Sequence, residues 1–431
     1  MFTVALLVTG YSQTLDKTKL DRFFDRLAEK NKAMGSLIIA KGDNAVYTRS
    51  IGFSHNDGTV KKPLSMSSKF RIGSVTKMYT AVMVFQLIEE EKLTLSDRLH
   101  KFMPQIPNAD KITIEHILAH RSGIPGAQIE GKFRARRSTG ITKDEMVAEL
   151  VNGKPNFEPG EKYEYSNAGY FLLGIIVEKI TGKPYAEALQ ERIVSRAGLT
   201  GTYAGSGNVD TNKNESFSYK YNAAWQQAPD THGSFTFGSG FLVSTAPDMA
   251  KFIKALFDGK LVSHKSLDLM MQNKMGMVSF TYNGKTFYGH TGGIDGFGVW
   301  LVYQPEEKLA LSYATNGKVY PVTKIVDNIF DIYYNKPFTV PAFESFAVST
   351  EVLDKYVGVY SIPEAPVKFT VTREGETLFV QMTNQSSFAI EATAENKFRI
   401  ESPPIEFLFD TSKKTMTIIR NGRQRVLTKE N

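Results

Sequence analysis

The stretch RIGSVTKMYTAVMVFQLIEEEKL, residues 71–93, constrains the chain most. From Met78 to Ile88 it is apolar on almost every side, the mark of a helix buried on all faces rather than along one stripe. Polar groups in its first turn therefore face either solvent or a cavity. Ser74 and Lys77 stand there, three residues apart. On a helix that spacing puts both on one face, with the amine in reach of the hydroxyl. The helix start adds free backbone N–H groups and the positive end of the dipole, which can hold a developing oxyanion. A blander reading competes, with Ser74 as an N-cap and Lys77 as a snorkelling surface lysine. S-x-x-K alone is common and favours that reading.

At 431 residues the chain exceeds one ordinary core, and ~100–200 residues per domain allows two or three. Helical spacing over LDKTKLDRFFDRLAEKNK runs into SLIIAKGDNAVYTRSIGF, two short strands around a GDN turn. The middle, from about 74 to 260, is read as largely helical, including NAGYFLLGIIVEKITG and TAPDMAKFIKALFDGK. Strands return between 286 and 315, with VWLVYQ and LALSYAT around a PEEK turn, before a helix near VTKIVDNIFDIYY. This predicts an α/β domain over 16–336: an antiparallel sheet closed by both ends of that segment and flanked by helices, plus an all-helical subdomain. The proline-containing segment 337–350 reads as a linker. Beyond it the period becomes two: Val367, Phe369, Val371; Leu378, Val380, Met382; Phe407, Phe409; Met416, Ile418. Turns at REGE, TSKK and RNGR separate these runs, which predicts a small antiparallel β-barrel or sandwich over 351–431.

Two distant segments change the reading of Ser74 and Lys77. EPGEKYEYSNAGYFLLG brings Tyr165-Ser166-Asn167 where a loop enters an apolar helix, and FYGHTGGIDGFGVWLVYQ brings His290-Thr291-Gly292-Gly293 into a strand. A serine hydroxyl is a poor nucleophile at neutral pH, so a neighbouring base must take its proton. Lysine, at ~10.4, and tyrosine, near ~10, can serve only if their surroundings tune them down. Grouped about one serine, each can tune the other. Asn167 could orient the Lys77 amine and contact a substrate amide, and the glycines after Thr291 allow a strand to run close to a substrate.

SVTK, YSN and HTG, in that order, resemble the three motifs of the serine penicillin-recognising superfamily, whose better-known members carry SDN and KTG. YSN is similar to the class C β-lactamase branch, which includes D-alanyl-D-alanine carboxypeptidases, D-amino-acid peptidases and esterases. ILAHRSGIPG at 117–126 and GSGFLVSTAPDMAKF at 238–252 resemble further family segments, and LDKYVGVY at 353–360 resembles the lipocalin-like barrel appended to many members. The resemblance implies that Ser74 is acylated, Lys77 and Tyr165 move the proton, and His290 supports Tyr165 in place of the usual lysine. Asn167 would contact a substrate amide and Thr291 a substrate carboxylate. The backbone N–H groups of Ser74 and Gly293 would form the oxyanion hole, with Gly292 between Thr291 and Gly293. Two departures concern carboxylate recognition: Gly293 stands where the carboxypeptidases have a hydroxyl residue, and no arginine lies near Lys274 to Met277.

The expected function is therefore a cofactor-independent serine hydrolase working through an acyl-enzyme. D-amino-acid peptides rank first as substrates, then small esters, then β-lactams. A non-enzymatic alternative is a penicillin-binding sensor that acylates without turnover. His116 and His120 have a spacing that suits a metal, but HExxH is absent, so a packed or capping pair is expected and no metal site. No serine sits in G-x-S-x-G, and neither a Walker loop nor a dinucleotide fingerprint is present.

Lys+Arg 52 against Asp+Glu 45 is a mild basic excess that is not gathered into a stripe, so no nucleic-acid partner is expected. With no cysteine, disulfides and thiolate chemistry are excluded. No run of ~18 apolar residues predicts a membrane span. MFTVALLVTGYSQ reads as the remnant of a secretory signal over 1–15, implying export to the periplasm or exterior, with a frayed strand as the rival reading. The partner expected is a small-molecule or peptide substrate, and the sequence is silent on oligomeric state.

Overall fold

The computed structural model describes residues 15–430, except 57, 127–133, 206, 344–345, 363–366, 386 and 401–402. The signal-like segment, apart from Leu15, lies outside the described residues.

Asp16 caps the first helix, Lys17–Glu29, by accepting from the Lys19 N–H at 3.0 Å, and the helix buries Leu20, Phe23, Phe24 and Leu27 on one stripe. The hairpin follows as Ala33–Lys41 and Asn44–Ile51. Spatially the main sheet runs Val278–Tyr282, Lys285–Ile294, Phe297–Gln304, Leu309–Lys318, Ala33–Lys41, Asn44–Ile51, with every neighbour antiparallel. Early and late strands thus meet at the centre, where Ala33 pairs with Lys318 and Lys41 with Leu309. Alternation splits the core. Leu37 and Ile39 face the first helix and the helix Val322–Tyr333, while Met34 and Ile38 face the helical body.

That body surrounds the helix Thr76–Glu89, in which every residue from Thr76 to Leu87 is buried. Two of its internal polar side chains reach backbone carbonyls: Thr80 Oγ1 donates to the Gly238 carbonyl at 2.7 Å, and Gln86 Nε2 donates to the carbonyls of Arg192 and Leu261 at 3.0 and 2.9 Å. The helices Asn167–Thr181 and Ala246–Phe257 complete its surroundings. The helical middle also carries strands. Phe70–Arg71, Leu242–Ser244 and Tyr203–Ala204 form a small sheet, and a hairpin, Tyr219–Asn222 and Ala224–Gln227, joins the main sheet where Tyr219 pairs in parallel with Gly317.

Residues 336–343 and 346–349 carry no regular structure, yet Phe343 packs into the core beneath the first helix. Eight strands from Gly358–Ser361 to Arg423–Lys429 then close into a barrel. One end is plugged by the helix Thr350–Tyr356, with Tyr356 stacked on Phe409 at 4.6 Å. Val371, Leu378, Val380, Phe407, Phe409 and Met416 fill the barrel core, with Phe369 and Ile418 packed against it. Val367 and Met382, from the same inward alternation, line a cavity at the other end. Lys32, 5% exposed at its side chain, ties the α/β body to the barrel by an ion pair with Glu391 at 2.6 Å.

Candidate active site

Ser74 lies in a 3-10 turn, Gly73–Val75, that leads into the buried helix rather than in the helix itself. No side-chain cap bond forms at either helix start, so Ser74 is not a cap. Gly73 adopts φ +52°, which turns the chain and lifts Ser74 out of the core to partial exposure.

Lys77, fully buried, directs its amine to three oxygens: Ser74 Oγ at 3.2 Å, Asn167 Oδ1 at 2.7 Å and the Ser239 carbonyl at 2.9 Å. All three are acceptors within hydrogen-bond reach of the amine. Two aromatic faces add to this, with the Tyr165 ring centroid 4.7 Å and the Tyr170 centroid 5.6 Å from the nitrogen. A snorkelling surface lysine is thereby ruled out. Asn167 is set by the start of its helix, where Ser166 Oγ accepts from the Gly169 N–H at 3.1 Å.

The third segment arrives on the strand Lys285–Ile294, paired with Phe297–Gln304. A Cβ on Gly292 would fall 1.9 Å from the Ile72 carbonyl oxygen, and one on Gly73 2.7 Å from Gly293 N. The strand therefore runs in backbone contact with the turn bearing Ser74. Gly293 itself faces open space. Thr291 is half-buried on the same strand, opposite Trp300.

His290 is buried, with Nδ1 2.5 Å from the Thr291 carbonyl. A carbonyl only accepts, so Nδ1 carries the proton and Nε2 the lone pair. Burial, and then the Lys77 charge, pushes His290 down to about 4, against a weaker upward pull from the Thr291 carbonyl. At neutral pH it is an uncharged imidazole and cannot reproduce the charge of the lysine in KTG. Its ring centroid lies 6.4 Å from that of Tyr165.

Three residues of the site escaped the sequence reading: Ser239 and Tyr170, both against the Lys77 amine, and His120. His120 stacks on Tyr165 with centroids 4.5 Å apart, and its Nδ1 accepts from the Ser166 N–H at 3.1 Å. Its backbone sits at φ +57°, a conformation seldom adopted by a non-glycine residue and found preferentially where function holds it. Burial, followed by Lys77 and His290, lowers it to about 3. The available signal was the ILAHRSG segment, which carries His120 within a family-like stretch. His116, as expected of a capping pair, closes a capping box with Thr113.

The Beta-lactamase family profile matches residues 20–335. The chain belongs to the beta-lactamase family. It is 25% identical over 433 residues to penicillin-binding protein 4* of Bacillus subtilis (strain 168), covering 90% of this chain and 93% of that protein. Among solved structures it resembles the D-amino acid amidase of Ochrobactrum anthropi SV3 complexed with D-phenylalanine, at TM-score 0.64 and 24% identity, covering 73% of this chain and 99% of that one. The octameric penicillin-binding protein homologue of Pyrococcus abyssi matches at TM-score 0.65 and 23% identity, over 96% of this chain and 100% of that one. At these identities the structural matches speak for the fold. No described helix is long and apolar enough to cross a membrane.

Proposed function

We propose that this family member is a serine hydrolase that cleaves amide or ester bonds of D-amino-acid-containing substrates through an acyl-enzyme at Ser74. The observation that carries this reading is the buried Lys77 amine, 3.2 Å from Ser74 Oγ and fixed by Asn167 and the Ser239 carbonyl. Such an amine costs several kcal/mol to bury, and it is aimed at the one hydroxyl that the turn presents to solvent.

In the reaction Ser74 Oγ attacks the substrate carbonyl while its proton passes to the Lys77–Tyr165 pair. The N–H groups of Ser74 and Gly293 receive the oxyanion, in keeping with the close approach of their segments. The proton moves on to the leaving nitrogen or oxygen, whose bond to the carbonyl carbon breaks. Water then gives a proton to the same pair and bonds to the acyl carbon; the Ser74 Oγ–carbon bond breaks, the proton returns to Ser74, and the acid leaves. His290, neutral and with its Nε2 lone pair free of the Thr291 bond, supports Tyr165 by hydrogen bonding rather than by charge.

Open space at Gly293, with no hydroxyl there, favours substrates that lack a terminal carboxylate, such as amino-acid amides and small esters, over strict carboxypeptidase substrates. A D-amino acid amidase shares the fold, and a relative is named for binding penicillin; D-amino-acid amides and esters are therefore the first substrates to try, with exported action on cell-wall-type peptides as the setting we propose. Turnover of D- and L-amino-acid amides and esters by the wild type, Ser74→Ala and Tyr165→Phe tests the proposal. Ser74→Ala should abolish turnover, Tyr165→Phe should reduce kcat by several orders of magnitude, and D-substrates should be preferred; an active Ser74→Ala enzyme refutes the mechanism, and equal use of both enantiomers refutes the substrate class.

A further inference from the structure

Among the described residues seven large hydrophobic side chains are exposed, and two of them, Tyr163 at 55% and Tyr165 at 42%, flank the same buried imidazole beside Ser74. Tyr165 lies on His120 with centroids 4.5 Å and planes 29° apart; Tyr163 stands against it at 5.8 Å with planes 78° apart. The proton relay uses Tyr165 and gives Tyr163 no task. The core gives it none either, since more than half of the residue is left in water.

Tyr163 is nonetheless held in place. The Glu164 N–H donates to the His120 carbonyl at 2.9 Å and the Ser166 N–H to His120 Nδ1 at 3.1 Å, so the segment bearing both tyrosines is fastened to one residue. The side chains on either side of Tyr163 are engaged with other groups: Lys162 Nζ lies 4.9 Å from the Phe157 ring centroid, and Glu164 accepts from Asn156 Nδ2. An aromatic ring fixed in advance, with surface open to solvent, meets a flat partner at low entropic cost.

The reaction sets which part of a substrate arrives there. The proton carried by the Lys77–Tyr165 pair must reach the leaving nitrogen or oxygen, so that atom sits within hydrogen-bond reach of the pair. Lys77 is buried beneath the Tyr165 ring, 4.7 Å from its centroid, so whatever is bonded to the leaving atom extends outward, over the exposed tyrosines. We propose that Tyr163 is a specificity-determining residue, the wall of a leaving-group subsite that takes an aromatic ring by stacking. The inference rests on the proposed hydrolase and extends it from the acyl group to the group that departs.

D-alanine anilide, D-alanine cyclohexylamide and D-alaninamide share one acyl group and differ only in what leaves. In Tyr163→Ala the anilide-to-alaninamide ratio of kcat/KM should fall about fivefold or more, the worth of one aromatic pair, and the cyclohexylamide-to-alaninamide ratio less than about twofold. Tyr163→Phe, which keeps the ring, should restore the anilide ratio. An unchanged anilide ratio in Tyr163→Ala, an equal fall in both ratios, or no restoration by phenylalanine would each overturn the proposal. If the wild type turns over none of the three, the hydrolase reading fails by itself, and calorimetric titration of the anilide into Ser74→Ala and Ser74→Ala/Tyr163→Ala decides the contact. Binding weaker by about fivefold or more in the double variant supports it; equal affinity, or no binding to either, overturns it.

Discussion

At the scale of single residues the site is held by what surrounds Lys77 and by glycines that admit the third segment. Adjacent glycines there should behave oppositely. Gly292→Ala drives a methyl group into the Ile72 carbonyl, so it should displace the strand from the Ser74 turn and reduce kcat by ~100-fold or more, as for loss of an oxyanion contact. Gly293→Ser meets nothing within 4 Å, should change stability by less than ~0.5 kcal/mol, and should raise kcat/KM for peptides ending in a free carboxylate. Steady-state kinetics with paired amide and carboxylate substrates, alongside thermal melts, checks both.

The two imidazoles give a second prediction at this scale. His290 and His120, at about 4 and about 3 when folded, lie below the ~6.5 of an unfolded histidine. Between those values the unfolded chain binds more protons, so their contribution is complete above pH ~6.5 and lost as pH falls, by up to ~1.4 kcal/mol per unit for each ring. Denaturant midpoints should fall from pH 6.5 to 5, and less steeply in His290→Gln. A wild-type midpoint flat across that window would contradict the assignment of buried neutral histidines.

At the scale of elements, the amphipathic first helix, the GDN hairpin, the late strands and the two-residue alternation of the barrel were legible because each buries a face with the period of its own backbone. The turn bearing Ser74 was not. Ser74 to Lys77 run into the apolar helix without a break, and residue pattern does not distinguish a 3-10 turn from an α-helical one. The hairpin Tyr219–Gln227 was missed because it is short and mostly exposed, and it turns through Ala223 at φ +60° where a glycine or asparagine would have signalled. His120 was visible as a residue but not as part of the site. Its partner Tyr165 lies far along the chain, and a stacked contact leaves no local pattern. Asn167 and Lys77 were legible together, since a loop entering an apolar helix and a buried amine each require a partner.

At the scale of the whole molecule, the described polar contacts that join the barrel to the α/β body include Lys32–Glu391, whose amine is buried, and Asn222–Ala389. Glu391→Gln removes the charge that satisfies Lys32 and should cost about 1–3 kcal/mol. Hydrogen exchange should then quicken in the strand Phe388–Ala394 and the hairpin Tyr219–Gln227, leaving the helix Thr76–Glu89 protected. Uniform exchange across the chain would show that the pair does not hold the two parts together.

The acyl-enzyme itself is open to one direct measurement: intact-protein mass spectrometry after brief exposure to an activated D-amino-acid ester, quenched in acid, followed by peptide mapping, with Ser74→Ala alongside. The mass should rise by one acyl group, mapped to Ser74 and absent from the variant. Ester turnover with the acyl group on another residue, or an equal adduct in Ser74→Ala, would contradict the mechanism.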